Sequence, residues 1–163
     1  MRHLIRMGQC LLAAVLSPVL FSAHAEQPNF VVILVDDAGL MDFSSFGGEA
    51  QTPNIDALSA SGMSFSNYRT SPMCAPTRAM LLTGLTSHKV GVGALPEIMT
   101  PEQRRSPAYS QRILPGVETV ASKLQAGGYQ TFMTGKWHLG HEAGDLPNHH
   151  GFDRSFTLDA SGA

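Results

Sequence analysis

Phe30-Val31-Val32-Ile33-Leu34-Val35-Asp36-Asp37 is the stretch that decides the fold. Six consecutive apolar residues, mostly β-branched, read as a strand covered on both faces, the pattern of a parallel sheet rather than of a half-exposed antiparallel one. The run stops abruptly at two carboxylates. Downstream, Tyr129 to Thr134 reads as a second core strand, and it runs directly into Gly135-Lys136-Trp137-His138-Leu139-Gly140.

Helices are expected between the two strands. Thr52 to Gly62 has Thr52 as a cap, Pro53 at the first helical position and Gly62 as a terminator. A second helix is expected from Pro76 to about Leu82, closed near Gly84, which places Cys74 just before a helix N-terminus. Val117, Val120, Ala121 and Leu124 recur at helical spacing before Gly127-Gly128. Met63 to Ser66 alternates like a short strand. Residues 85–115, with Pro96, Pro101, Pro107 and Pro115, carry no period and read as an exposed excursion. Strand, helix and strand in alternation give an α/β fold with a mainly parallel sheet. Ligands in such sheets sit beyond the carboxyl ends of the strands. Asp36-Asp37 and the Lys136/His138 pair both follow a predicted strand at that end.

The first 25 residues read as a leader. Arg2, His3 and Arg6 precede a largely apolar run from Cys10 to Phe21, and Ala23-His24-Ala25 has the small-x-small form of a cleavage site. The apolar run is shorter than the roughly 20 residues a membrane span needs, and Pro18 interrupts it. Export to the periplasm or medium is therefore expected, with no stable membrane anchor. Residues 26–163 would form the mature portion. Without Arg2 and Arg6 it keeps 9 of the 11 Lys+Arg against 13 Asp+Glu, a formal charge of −4. No basic patch points to nucleic acid. The ending, Leu158 to Ala163, has no closing helix or strand pattern and reads as an interruption, so 26–163 is expected to be the N-terminal portion of a larger domain.

Three segments carry chemistry. Adjacent Asp36 and Asp37 repel each other and lose hydration if buried. A hard divalent cation relieves both problems, and oxygen-only ligation favours Ca²⁺ or Mg²⁺. A solvated pair opening a loop is the alternative. Cys74, the one cysteine outside the leader, lacks an intramolecular disulfide partner in an exported chain. It could be a packed thiol, a nucleophile at a helix start, or a precursor of another group. Lys136 offers a point charge for an anion and His138 a proton-transfer group, unless the segment is simply a basic loop with Trp137 packed on the core. His141, His149 and His150 lack a Cys/His framework for zinc and read as exposed loop residues.

Pro72-Met73-Cys74-Ala75-Pro76-Thr77-Arg78, continuing through Leu81-Leu82-Thr83-Gly84, resembles the sulfatase signature at which cysteine is oxidised to formylglycine. Thr77 stands where serine is commoner. Gly135 to Gly140 resembles the family's second signature, with Thr134 where a smaller or apolar residue is more usual. Asp36-Asp37, Thr52 to Leu58 and Gly151-Phe152-Asp153 follow the family order as well. The resemblance, to a bacterial-type arylsulfatase, covers residues 28–156 and implies an alkaline-phosphatase-like fold.

It also implies roles. Asp36, Asp37 and residue 74 would face Ca²⁺, with Mg²⁺ as the alternative. Formylglycine, hydrated to a diol, would attack the sulfur of a sulfate ester through one hydroxyl and release sulfate through collapse of the other. Arg78 and Lys136 would hold the formylglycine and sulfate oxygens, and His138 would take the proton during collapse. Implied partners are a small sulfate ester or sulfated glycan and a maturation enzyme that generates formylglycine. Family members draw further ligands, an Asp-Asn pair and a second His and Lys, from later sequence. The polypeptide alone is therefore expected to be inactive. A phosphonate or phosphate ester hydrolase of the same superfamily, or a non-catalytic fragment, are the rival readings.

Overall fold

A computed structural model describes residues 27–158, and the leader expected over 1–25 lies outside the described residues. The chain divides into two compact units, one ending at Leu34 and the other running from Val35.

In the second unit α1 spans Pro53–Ser61, α2 Cys74–Thr83, α3 Ser87–Val90 and α4 Val120–Ala126. β1, Phe132–Lys136, pairs in parallel with β2, Arg154–Leu158, in the register Phe132↔Arg154 to Lys136↔Leu158. The connection over residues 137–153 is long enough for a parallel return, and two 3₁₀ turns, Ala143–Asp145 and Pro147–His150, shape it. The class is α/β with a small parallel sheet, as expected.

Local chemistry explains most boundaries. Pro53 opens α1, and Gly62 follows its end. Thr52 does not cap α1 through its side chain. Its hydroxyl accepts from the Ser44 amide at 3.0 Å and lies 3.4 Å from Asp56, which also accepts from the Ser44 hydroxyl at 2.7 Å. α4 starts with a reciprocal cap between Thr119 and Ser122. α2 begins two residues earlier than Pro76. Proline is tolerated there because first-turn amides have no partner inside the helix, and Cys74 becomes the first helical residue. Gly84 ends α2 in the left-handed region at φ 67°.

Three expectations need correction. Phe30–Val35 is not a strand, and its side chains are exposed, from 39 % at Leu34 to 85 % at Val31. An apolar run is buried only where neighbouring strands and helices cover it, and the sheet among the described residues is made of β1 and β2 alone. Met63–Ser66 is likewise an exposed irregular segment. The 85–115 segment, by contrast, is no simple surface excursion. Val90, Val92, Ala94 and Ile113 are buried in it, and the backbones close on each other through Leu114 N to Val90 O at 2.8 Å and Gly93 N to Ala108 O at 2.9 Å. Gly91, at φ 102°, permits this: a Cβ there would sit 2.6 Å from the Ser110 hydroxyl and 2.7 Å from the Arg112 carbonyl. Because pairing is by turns and not by a regular period, sequence periodicity carries no trace of it.

The core gathers Ala75 and Ala79 from α2, Val90, Val92 and Ile113 from the excursion, and Trp137 and Leu139 from the loop after β1. The two signature segments thus supply four of the seven core residues, and packing fixes them relative to one another.

Candidate active site

α2 and the carboxyl end of β1 meet, and Arg78 joins them. Its Nη1 donates to the Lys136 carbonyl at 2.8 Å, and its Nη2 reaches Asp36 Oδ1 at 3.2 Å. The side chain is buried, at 9 % exposure, and its Nε has no partner among the described residues. Lys136 Nζ contacts the other Asp36 oxygen at 2.6 Å. One carboxylate therefore bridges two cations, each on its own oxygen.

Cys74 is half-buried and free of any disulfide. Its Sγ lies 3.4 Å from His138 Nδ1, 64 residues away in sequence. His138 is itself buried and sits in the left-handed region at φ 57°, as Asp37 does at φ 55°. Such backbone costs about 1–3 kcal/mol for a non-glycine residue and persists only where the surroundings enforce it. Two strained residues thus flank the site.

Electrostatics follow from these contacts. The hydrogen bond from Lys136, above all, holds the Asp36 carboxyl below its ordinary value of 3.8, aided by Arg78 and opposed by burial. Burial opposes the charge on Lys136, but its bond to Asp36 and the adjacent Cys74 sulfur raise it above 10.5. Burial lowers His138 below 6.5, and the Lys136 and Arg78 charges push the same way. At neutral pH the site holds a lysinium, a guanidinium and an uncharged imidazole that can accept a proton.

All four expected catalytic residues, Cys74, Arg78, Lys136 and His138, converge with Asp36. Asp37 follows immediately but is exposed. The carboxylates of Asp36 and Asp37 suit a hard cation in kind. In number they fall short of the about six to eight oxygens that Ca²⁺ takes. Among the described residues no three His, Cys, Asp or Glu side chains gather as a metal cage would gather them. Within the cluster Asp36 is paired with Arg78 and Lys136.

Sequence reading missed Glu97, whose charge raises the proton affinity of His138 from the 3₁₀ turn Pro96–Ile98 while His141 lowers it. It also missed Asp145, buried behind the loop after β1. Both act across sequence gaps that no local pattern spans. His141 and His149 are exposed as expected, but His150 is half-buried and packs on Trp137 at 5.6 Å.

The fold is α/β with a small parallel sheet, the alkaline-phosphatase-like class of its structural neighbours, and the cluster lies at the carboxyl end of β1. A model of the sulfatase family matches residues 28–162, and the chain belongs to that family. It is 41 % identical over 160 residues to an arylsulfatase of Klebsiella aerogenes, covering 96 % of this chain and 34 % of that one. The crystal structure of Ps i-CgsB superposes with a TM-score of 0.69 at 34 % identity, covering 81 % of this chain and 28 % of that one. The same protein in complex with k-i-k-neocarrahexaose gives a TM-score of 0.62 at 34 % identity over 75 % of this chain and 26 % of that one. The chain thus spans about a third of the length of the curated arylsulfatase.

Proposed function

We propose that the protein hydrolyses sulfate esters, with Cys74 as the precursor of the nucleophile. One observation supports this most: residue 74, at the first position of α2, has its Sγ 3.4 Å from His138 Nδ1, and Arg78 of the same helix donates to the Lys136 carbonyl at 2.8 Å. Formylglycine at this position would supply a hydrated aldehyde, an attacking hydroxyl with a built-in route for releasing sulfate that neither a thiol nor a serine offers.

The chain's own residues would do the rest. Arg78 and Lys136 would hold anionic oxygens through charge-assisted hydrogen bonds, oriented beforehand by Asp36. His138, uncharged at neutral pH and facing the γ atom of residue 74, would accept a proton there. Trp137 and Leu139, on either side of His138 and both at 0 % exposure, root its loop in the core. Asp36 and Asp37 are the residues that would hold Ca²⁺ or Mg²⁺, and such an ion would draw charge from the sulfate oxygens.

The substrate would be a small sulfate ester or a sulfated glycan, in line with the oligosaccharide bound by the structural relative. Maturation would require an enzyme that reads Cys74, Pro76 and Arg78. The leader would take the protein to the periplasm or medium.

The test is hydrolysis of an aryl sulfate by the protein as its host makes it. Turnover that disappears in Cys74→Ala is the expected result. Turnover unchanged in that variant would refute the proposal.

A further inference from the structure

The loop carrying Lys136 and His138 is held from behind by a residue outside every signature. Trp137, between them in sequence, is fully buried, and its Nε1 donates to the Asp145 carbonyl at 2.8 Å. Gly140, two residues past His138, lies against the Asp145 side chain: a Cβ there would come within 2.4 Å of the Asp145 Cβ and 2.7 Å of its Oδ2. Asp145 is 8 % exposed, and its Oδ1 faces Arg112 Nη1, on the excursion, at 3.7 Å. Asp145, in the 3₁₀ turn Ala143–Asp145, thus meets Gly140 and Arg112 through its side chain and Trp137 through its main-chain carbonyl.

We infer that Asp145 is a positioning residue for the Lys136–His138 pair: its side chain holds the turn against Gly140 and Arg112, and the turn so held presents the carbonyl that fixes Trp137. The inference rests on the sulfatase reading and deepens it. His138 occupies a left-handed backbone conformation that its own residue type does not favour. Something must hold it, and the flanking residues are pinned on both sides: Trp137 by its indole bond, Gly140 by direct packing. Releasing the turn would let His138 relax and move Nδ1 away from residue 74. The Arg112 contact ties this strut to the excursion. Asp145 touches none of the reacting groups, so its effect would appear in the reaction step rather than in substrate affinity.

The variants are Asp145→Ala, Asp145→Asn and Arg112→Ala, with Arg105→Ala as control because its pair with Glu102 is exposed on both sides. Each is made in the protein as its host produces it, and kcat is normalised to formylglycine content. A misplacement of about 1 Å costs on the order of 100-fold in rate. Asp145→Ala should therefore lower kcat by about tenfold or more, with KM within about threefold. Asp145→Asn keeps the packing on Gly140 and loses the charge, so its loss should be smaller and match Arg112→Ala. Trp137 is the only tryptophan of these 163 residues, so the emission removed by Trp137→Phe in each background reports the brace independently of turnover. Asp145→Ala should shift that emission to the red and increase acrylamide quenching.

Unchanged emission and quenching in Asp145→Ala would overturn the inference, whether or not the wild type hydrolyses sulfate esters. So would an active wild type with kcat per formylglycine unchanged in Asp145→Ala. A wild type without turnover would count against the sulfatase reading alone, leaving the fluorescence result to decide the strut.

Discussion

Replacing Arg78 with methionine separates what the site needs for folding from what it needs for chemistry. The side chain is buried at 9 % exposure and makes two polar contacts, to the Lys136 carbonyl at 2.8 Å and to Asp36 at 3.2 Å. Losing a hydrogen bond from a charged donor costs about 1.5–3 kcal/mol. The Asp36 contact is worth about 0–1 kcal/mol, because Asp36 is 38 % exposed and keeps Lys136. Against these stands the Arg78 Nε, buried without a partner among the described residues, whose removal returns about 1–3 kcal/mol. The net is centred on a stability loss of about 1 kcal/mol, within bounds of about −1.5 to 3 kcal/mol. Function should respond very differently, since removing one preorganised donor to a developing anion costs about 10²–10³ in kcat. Urea unfolding gives the first quantity and aryl sulfate turnover the second. A destabilisation above about 4 kcal/mol with turnover per folded molecule retained would show that Arg78 is a structural strut and refute the reasoning.

Further outcomes follow from the same contacts. The Asp36–Lys136 pair stabilises the fold above the ordinary carboxylate value of 3.8 and below the ordinary lysine value of 10.5. That contribution is lost as pH falls through the lowered Asp36 value or rises through the raised Lys136 value. Urea midpoints measured against pH should lose both limbs in Asp36→Asn, and a wild-type profile in that variant would count against the pair. His138 is lowered, so its folded state binds fewer protons than the unfolded chain, and stability falls as pH drops below 6.5. His138→Gln should flatten that segment of the same profile. Gly84→Ala, at φ 67° with nothing within 4 Å of a new Cβ, meets backbone strain alone and should cost about 1 kcal/mol by the same unfolding assay. If Asp36 and Asp37 hold a divalent cation, added Ca²⁺ should raise the unfolding midpoint of the wild type, and Asp37→Asn should abolish the rise.

The readings that held in the sequence were local ones. Pro53 with Gly62 and Gly84 after Leu82 mark helix ends through backbone geometry that the residue type itself dictates. The cluster of Cys74, Arg78, Lys136 and His138 was legible because two short signatures hold it, each on one element. Two further features depend on distant chain. The apolar run Phe30–Val35 specifies burial only when other strands lie beside it, and it is exposed where the sheet among the described residues holds β1 and β2. The buried half of the 85–115 segment is built from glycine-permitted crossings at Gly91 and Gly93, which leave no period. β2 was missed for a related reason: Arg154–Leu158 is exposed along most of its length, so its register with β1 is visible only in the ladder. Asp145 and Glu97 act across the fold without any motif to announce them.

The account depends most on what residue 74 becomes. Mass spectrometry of the tryptic peptide Thr70–Arg78, taken from the protein made in its native host, reads this directly. A peptide carrying an aldehyde in place of the thiol, reactive toward a hydrazine probe, is the result the account predicts. A peptide recovered only with an unmodified Cys74 thiol would contradict it.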